Sequence, residues 1–230
     1  LPNRIKLTMA LGPVTDVLLR ALHGSCAGLH LAQGVYGEVL VNTLFAGQAR
    51  FPLTNSVMND DHVVGTYNLA QLAPVFSFLS AANHLWAVSD FSGYLQWVDQ
   101  RGYNPVRWLE YSVSASLMWY LVAVLSGIVD IKPLVLLVLT NVALQYTGYS
   151  IEKDSAAALR QQNEARYETA QRQHVIGFLI FAAQTVCGWT AFITSVTTSE
   201  DNVPWLVWLI MVVITALFLS FGLLSLAYTR

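Results

Sequence analysis

Six stretches of about 20 residues or more, almost empty of formal charge, govern what this chain can become: Ala21–Phe45, Tyr67–Ser89, Leu109–Val129, Pro133–Ile151, Val175–Ser199 and Val203–Thr229. The first contains Glu38 and the third Glu110; the other four contain no Asp, Glu, Lys or Arg. Stretches of that length match a hydrocarbon core about 30 Å thick, and in lipid each must satisfy its backbone hydrogen bonds within itself, which makes it a helix. The apolar/polar alternation of a transmembrane barrel is absent. Only 11% of residues are charged, against roughly 25% in soluble domains. The expected fold is therefore an all-α membrane protein forming one bundle over residues 1–230, with six transmembrane helices near 17–45, 67–89, 106–129, 133–151, 175–199 and 203–228.

The connections add orientation. Residues 46–66 form a long polar stretch that can hold structure outside the membrane, and 152–174 form a charged, helix-prone linker that extends one of its neighbours into water. On the side of the N-terminus lie Arg4, Lys6, Arg20, Arg101, Arg107, Lys153, Arg160, Arg166, Arg172 and Arg230; on the other lie Arg50 and Lys132. Ten against two places the N-terminus in the cytoplasm, with 46–66 extracellular and 152–174 cytoplasmic. A net charge of −2 gives no polybasic field for nucleic acid. Cys26 and Cys187 are the only cysteines, so neither a disulfide framework nor a metal site is expected. The first 16 residues lack a signal-peptide pattern, and the first helix can direct insertion.

Polar residues inside spans are costly and each requires a reason. Asn104-Pro105 supplies an N-cap and a first-turn proline to the third helix, which puts Glu110 in its second turn with Arg107 and Ser114 as helical neighbours. Two readings stand open: an interfacial carboxylate paired with Arg107, or a buried counter-ion or proton acceptor. His23, Cys26, His30, Gln33 and Gly37 recur along one face of the first helix, which should look inward. Asn83 and His84 in the second helix, with Asn141 and Gln145 in the fourth, can join them in a polar network or simply bond helices together. Glu38 either lines a hydrated vestibule or snorkels to the interface. Trp205 and Trp208 suit an interfacial belt, while Trp119, Trp189, Phe218 and Phe221 suit either core packing or the enclosure of a flat apolar ligand.

The run GYNPVRWLEYSVSAS, Gly102–Ser116, closely resembles the third-helix signature of heliorhodopsins. LHLAQG at Leu29–Gly34, the Asn83-His84 pair and VPWLVW at Val203–Trp208 extend the resemblance over nearly the whole chain. It implies a rhodopsin-like bundle of seven helices and all-trans retinal as cofactor. It also implies a cytoplasmic N-terminus, as the charge count does independently. Carried over by motif, Glu110 is the counter-ion of a protonated retinal Schiff base, and Ser114 and Ser116 form its hydrogen-bonding surroundings. By the same resemblance His30 and His84 are members of a buried polar cavity, which Asn83 and Gln33 can complete, while Asn141, Leu144, Trp189, Phe218 and Phe221 are candidates for the polyene pocket by similar helix position. The family attaches retinal to a lysine of the seventh helix. The lysines here are Lys6, Lys132 and Lys153, all at or outside span boundaries. Either a seventh helix with its lysine follows Arg230, the expectation favoured by the end at Tyr228-Thr229-Arg230, or the linkage has been lost.

The resemblance implies a light-sensing photoreceptor in which isomerisation moves a proton and repacks helices as a signal, without pumping. A homodimer in the bilayer and a cytoplasmic signalling partner follow by the same resemblance. The alternatives are a light-gated proton or cation channel, with Glu38, Glu110 and Glu200 bounding a wet path, and a non-photoactive membrane scaffold. No nucleophile triad, zinc motif or nucleotide loop points to an enzyme.

Overall fold

The computed structural model describes residues 12–44, 50–57, 60–198 and 205–228. Helix α1 (Gly12–Leu44) is followed by a hairpin of β1 (Arg50–Val57) and β2 (Asp60–Asn68), then by α2 (Leu72–Ser89), the short α3 (Phe91–Leu95) and a wide π-type turn, Gln96–Arg101. Four longer helices complete the described chain: α4 (Pro105–Leu125), α5 (Ile131–Gln161), α6 (Glu164–Thr198) and α7 (Trp205–Tyr228). The chain divides into two compact units, Leu1–Gln48 with Ala70–Glu110, and Ala49–Leu69 with Tyr111–Arg230.

In the first unit α1 packs along α2 because small residues let the backbones approach. A Cβ on Gly34 would lie 2.7 Å from the Phe78 ring, and one on Gly37 would lie 3.3 Å from the Pro74 ring. Ala27, Ala81 and Ala87 are buried. Helix pairs in lipid gain their affinity from this kind of close packing, since apolar burial against lipid tails gives little driving force.

In the second unit the hairpin pairs antiparallel from Arg50↔Asn68 to Val57↔Asp60, with a bulge between Leu53 and Thr54. The Thr54 N–H donates to the Val129 carbonyl at 3.0 Å, which ties the hairpin to the turn between α4 and α5. Leu53, Leu69, Tyr120 and Ile128 pack against the buried Ala123, Val124, Leu134 and Leu137. That turn reverses at Gly127, whose φ of +87° is a conformation that side-chain-bearing residues resist. Asp130 caps α5 by accepting from the Lys132 N–H at 2.8 Å.

The element boundaries differ from the sequence reading where local pairing prevails. The second span, expected from residue 67, becomes α-helical only at Leu72, after a 3-10 turn over Leu69–Gln71, because Tyr67 and Asn68 pair with Phe51 and Arg50 in the hairpin. The third, expected to reach 129, ends at Leu125 before the Gly127 turn. The segment 152–174, expected to extend one neighbouring helix, extends both, since α5 runs to Gln161 and α6 begins at Glu164. The helix break is closed by Gln162 in the left-handed conformation, with the Asn163 N–H donating to the Ala158 carbonyl at 3.1 Å. Beside it, Arg166 pairs with Asp154 at 3.3 Å, and the Gln173 amide donates to the same carboxylate at 3.2 Å.

Four described helices are long and apolar enough to cross a bilayer: Pro105–Leu125, Ile131–Gln161, Glu164–Thr198 and the Val207–Ala227 portion of α7.

Candidate functional site

Polar clusters occur in both units. In the first, α1 presents His23 and His30 two turns apart, and α2 brings His84 between them. The Nδ1 atoms of His23 and His84 are 2.8 Å apart, so one ring donates its N–H and the other accepts. The His30 ring stacks on His84 with centroids 5.7 Å apart and planes within 10°. Tyr94 of α3 meets His23 edge-on at 4.9 Å and is itself braced by Trp86 and Phe91. Burial raises the Tyr94 phenol above its ordinary range, and the positive charge of Arg107 only partly opposes this.

The start of α4 is built as its sequence implies. Asn104, buried, accepts from the Val106 and Arg107 N–H groups at 3.1 and 3.2 Å, and Pro105 occupies the first helical position. Arg107 lies over the Trp108 ring at 5.5 Å. Glu110 is half-buried, and Ser114, one turn further along the same helix, is half-buried too.

The second unit contains a buried polar pair and an aromatic cluster. Ser116 donates to the Ser112 carbonyl at 2.6 Å and accepts from the Asn141 amide at 3.0 Å. Asn141 is 0% exposed, and its Oδ1 has no partner among the described residues. The Gln184 amide donates to the Leu137 carbonyl and the Thr140 hydroxyl at 3.2 and 3.0 Å, while its Oε1 is left unpartnered. Trp119, 3% exposed with an unpartnered Nε1, packs with Val122, Phe192 and Met211. Phe181, Trp189 and Phe218 close around that cluster. Gly188 leaves room for the indole, since a Cβ there would lie 3.2 Å from the Trp119 ring.

The structure brings together His30 and His84 of the expected cavity, and separately Ser116 and Asn141, and Trp189 and Phe218. It does not bring in the rest. Gln33 is exposed on α1, and Asn83 is half-buried beside His84 in the sequence. Leu144 lies 3.7 Å from where a Gly177 Cβ would stand. Phe221 is 61% exposed and meets Tyr111 at 6.3 Å. Glu38 is exposed, with the Asn42 amide donating to its carboxylate at 2.9 Å, as a solvated interfacial residue would be. Glu200 lies outside the described residues. Tyr94, Gln184 and Thr215 were missed by sequence reasoning. Gln184 carried a usable signal, as a single amide side chain deep in an apolar helix.

Orphaned polar atoms at Asn141, Gln184 and Trp119 lie in the same unit as an aromatic wall of Trp119, Phe181, Trp189, Phe192 and Phe218. The described lysines contribute nothing to this wall: the Lys132 backbone completes the α5 cap, and the Lys153 ammonium sits 5.8 Å over the Tyr149 ring.

The long apolar helices define a helical integral membrane protein. The family model described as Heliorhodopsin matches residues 19–230, and the chain belongs to that family. It is accordingly a rhodopsin-like retinal protein. No curated protein matches its sequence.

Proposed function

We propose that the protein is a light-sensing photoreceptor that signals by conformational change without pumping ions. It spans the membrane six times within this sequence, with its N-terminus in the cytoplasm, a placement supported by the ten-to-two distribution of Lys and Arg. Retinal, when bound, supplies the absorption of visible light, isomerisation and a titratable positive charge. Every other requirement falls on the chain. Glu110 provides a fixed negative charge within the membrane, which favours the protonated form of a cationic neighbour. Ser114 and Ser116 provide hydrogen bonds along the same helix. Asn141, Trp119, Trp189 and Phe218 exclude water and hold the ligand flat.

The observation that carries this reading is the histidine contact. At an Nδ1···Nδ1 distance of 2.8 Å, His23 and His84 share one hydrogen, one ring donating and the other accepting. Such a pair suits a proton that stays in the protein interior. The direct test is the absorption spectrum of the full-length protein incubated with all-trans retinal. A visible band is expected, and its absence under conditions that leave the protein folded would defeat the proposal.

The same reading separates two properties that mutations usually alter together. Substituting His84 by Phe is expected to change the rates of the photocycle several-fold while leaving the dark-state colour near that of the wild type, because His84 supplies no fixed charge. Flash photolysis in liposomes with an external pH indicator checks this. Unchanged kinetics would reduce the histidines to helix-joining groups, and a sustained proton flux in the wild type would replace a sensor with a channel or pump.

A further inference from the structure

We infer that Thr215 is a positioning residue for the ligand wall, acting through Trp189. The inference rests on reading the aromatic cluster of the second unit as the surface that retinal meets. Trp189 stands on α6 and Thr215 on α7, and the indole Nε1 is 3.1 Å from the threonine Oγ1. An indole nitrogen can only donate, so the hydroxyl oxygen accepts. The hydroxyl hydrogen is committed elsewhere, to the Met211 carbonyl one turn earlier at 2.8 Å. Both hydrogen bonds therefore have a fixed direction, and the threonine cannot turn without losing one of them.

The bond sets the plane of a large ring. Trp189 meets Phe192 edge-on at 6.0 Å with an interplanar angle of 82°. Phe218, one turn along α7 from Thr215, lies 5.7 Å from Trp119. A small hydroxyl thus links the rotation of an α6 indole to the helix that carries Met211 and Phe218. Threonine is apt here, because its methyl packs among apolar neighbours while its oxygen occupies the single polar point. α7 is otherwise almost wholly apolar, so no neighbouring side chain offers a ready substitute for that oxygen.

The test compares Thr215→Val, which keeps the shape and removes the acceptor, with Thr215→Ser, which keeps the acceptor. In retinal-free full-length protein, the Trp189 indole N–H, assigned by its disappearance in Trp189→Phe, should exchange with deuterium about tenfold faster in Thr215→Val than in wild type or Thr215→Ser. With retinal bound, Thr215→Val should shift the visible maximum and alter the recovery rate, whereas Thr215→Ser should do neither. Adding Thr215→Val to Trp189→Phe should produce no further change. Thr215→Ala takes the place of the valine variant if the latter does not fold. Unchanged exchange, an unchanged band in Thr215→Val, or an equal effect with and without the indole would each overturn the inference. If the wild type forms no visible band while the exchange difference is found, the chromophore-wall reading fails and only a helix-to-helix bond remains.

Discussion

Glu110→Gln is expected to displace the visible absorption band of the retinal-bound protein strongly, and to lower the pH at which the bound positive charge loses its proton. Glutamine keeps the shape and hydrogen-bonding capacity of the side chain while removing its charge. The physical ground is that an opposite charge within a few ångströms moves a titration by about 1–3 units, and each unit corresponds to roughly 1.4 kcal/mol. The sign follows directly: the carboxylate raises the pKa of a cationic partner, so neutralising it lets that partner deprotonate at lower pH. Within the spans, acids occur only at Glu38 and Glu110. Glu38 is exposed and held by Asn42, so Glu38→Gln should leave the band in place. A pH titration of the spectra of both variants checks the pair of expectations. A wild-type band in Glu110→Gln would return Glu110 to its alternative role as an interfacial partner of Arg107.

Phe192→Ala is expected to cause the largest loss of stability among single substitutions in the second unit. Phe192 is 1% exposed and meets Trp208 edge-on at 4.7 Å and Trp189 at 6.0 Å, while Trp119 and Met211 belong to the same buried cluster. Truncation removes the ring from all of these at once and leaves a void that three helices cannot close. Phe→Ala changes in cores cost about 3–5 kcal/mol. The lower end is expected here, because apolar transfer contributes less when the surroundings are lipid, while the packing loss persists. Phe192→Leu fills much of the volume and should recover more than half of that loss. Thermal unfolding in nanodiscs provides the comparison, and equal midpoints for the Ala and Leu variants would show that packing at this point is not limiting.

The helices were legible because lipid removes the alternatives: a run of some 20 uncharged residues has one backbone solution. Their ends were less so. Tyr67 and Asn68 read as the apolar start of a span, yet their backbones pair with Phe51 and Arg50, a contact between segments about 17 residues apart that no local pattern encodes. The Asn104-Pro105 cap was readable because capping is a local affair. The histidine cluster was half readable. Periodicity put His23 and His30 on one face of α1, but it also put Gln33 there, and Gln33 is exposed. A helical face spans a wide arc, and only the position of α2, fixed by Gly34 and Gly37 against Phe78 and Pro74, decides how much of that arc is covered. Phe221, three residues or about 300° around α7 from Phe218, is 61% exposed.

The reach of α5 and α6 has a mechanical consequence. Their 31 and 35 residues correspond to about 46 and 52 Å of helix at 1.5 Å per residue, against a hydrocarbon thickness near 30 Å. Tilt within the usual range, up to roughly 40°, cannot hide that excess. Glu152, Lys153, Asp154 and Arg160 on α5, and Arg166, Glu168 and Arg172 on α6, mark the end that projects into water. There the Asp154–Arg166 pair and the closed Gln162 turn join the two helices. For an arm of roughly 15 Å, a tilt of about 10° within the bilayer corresponds to a tip displacement of some 2–3 Å.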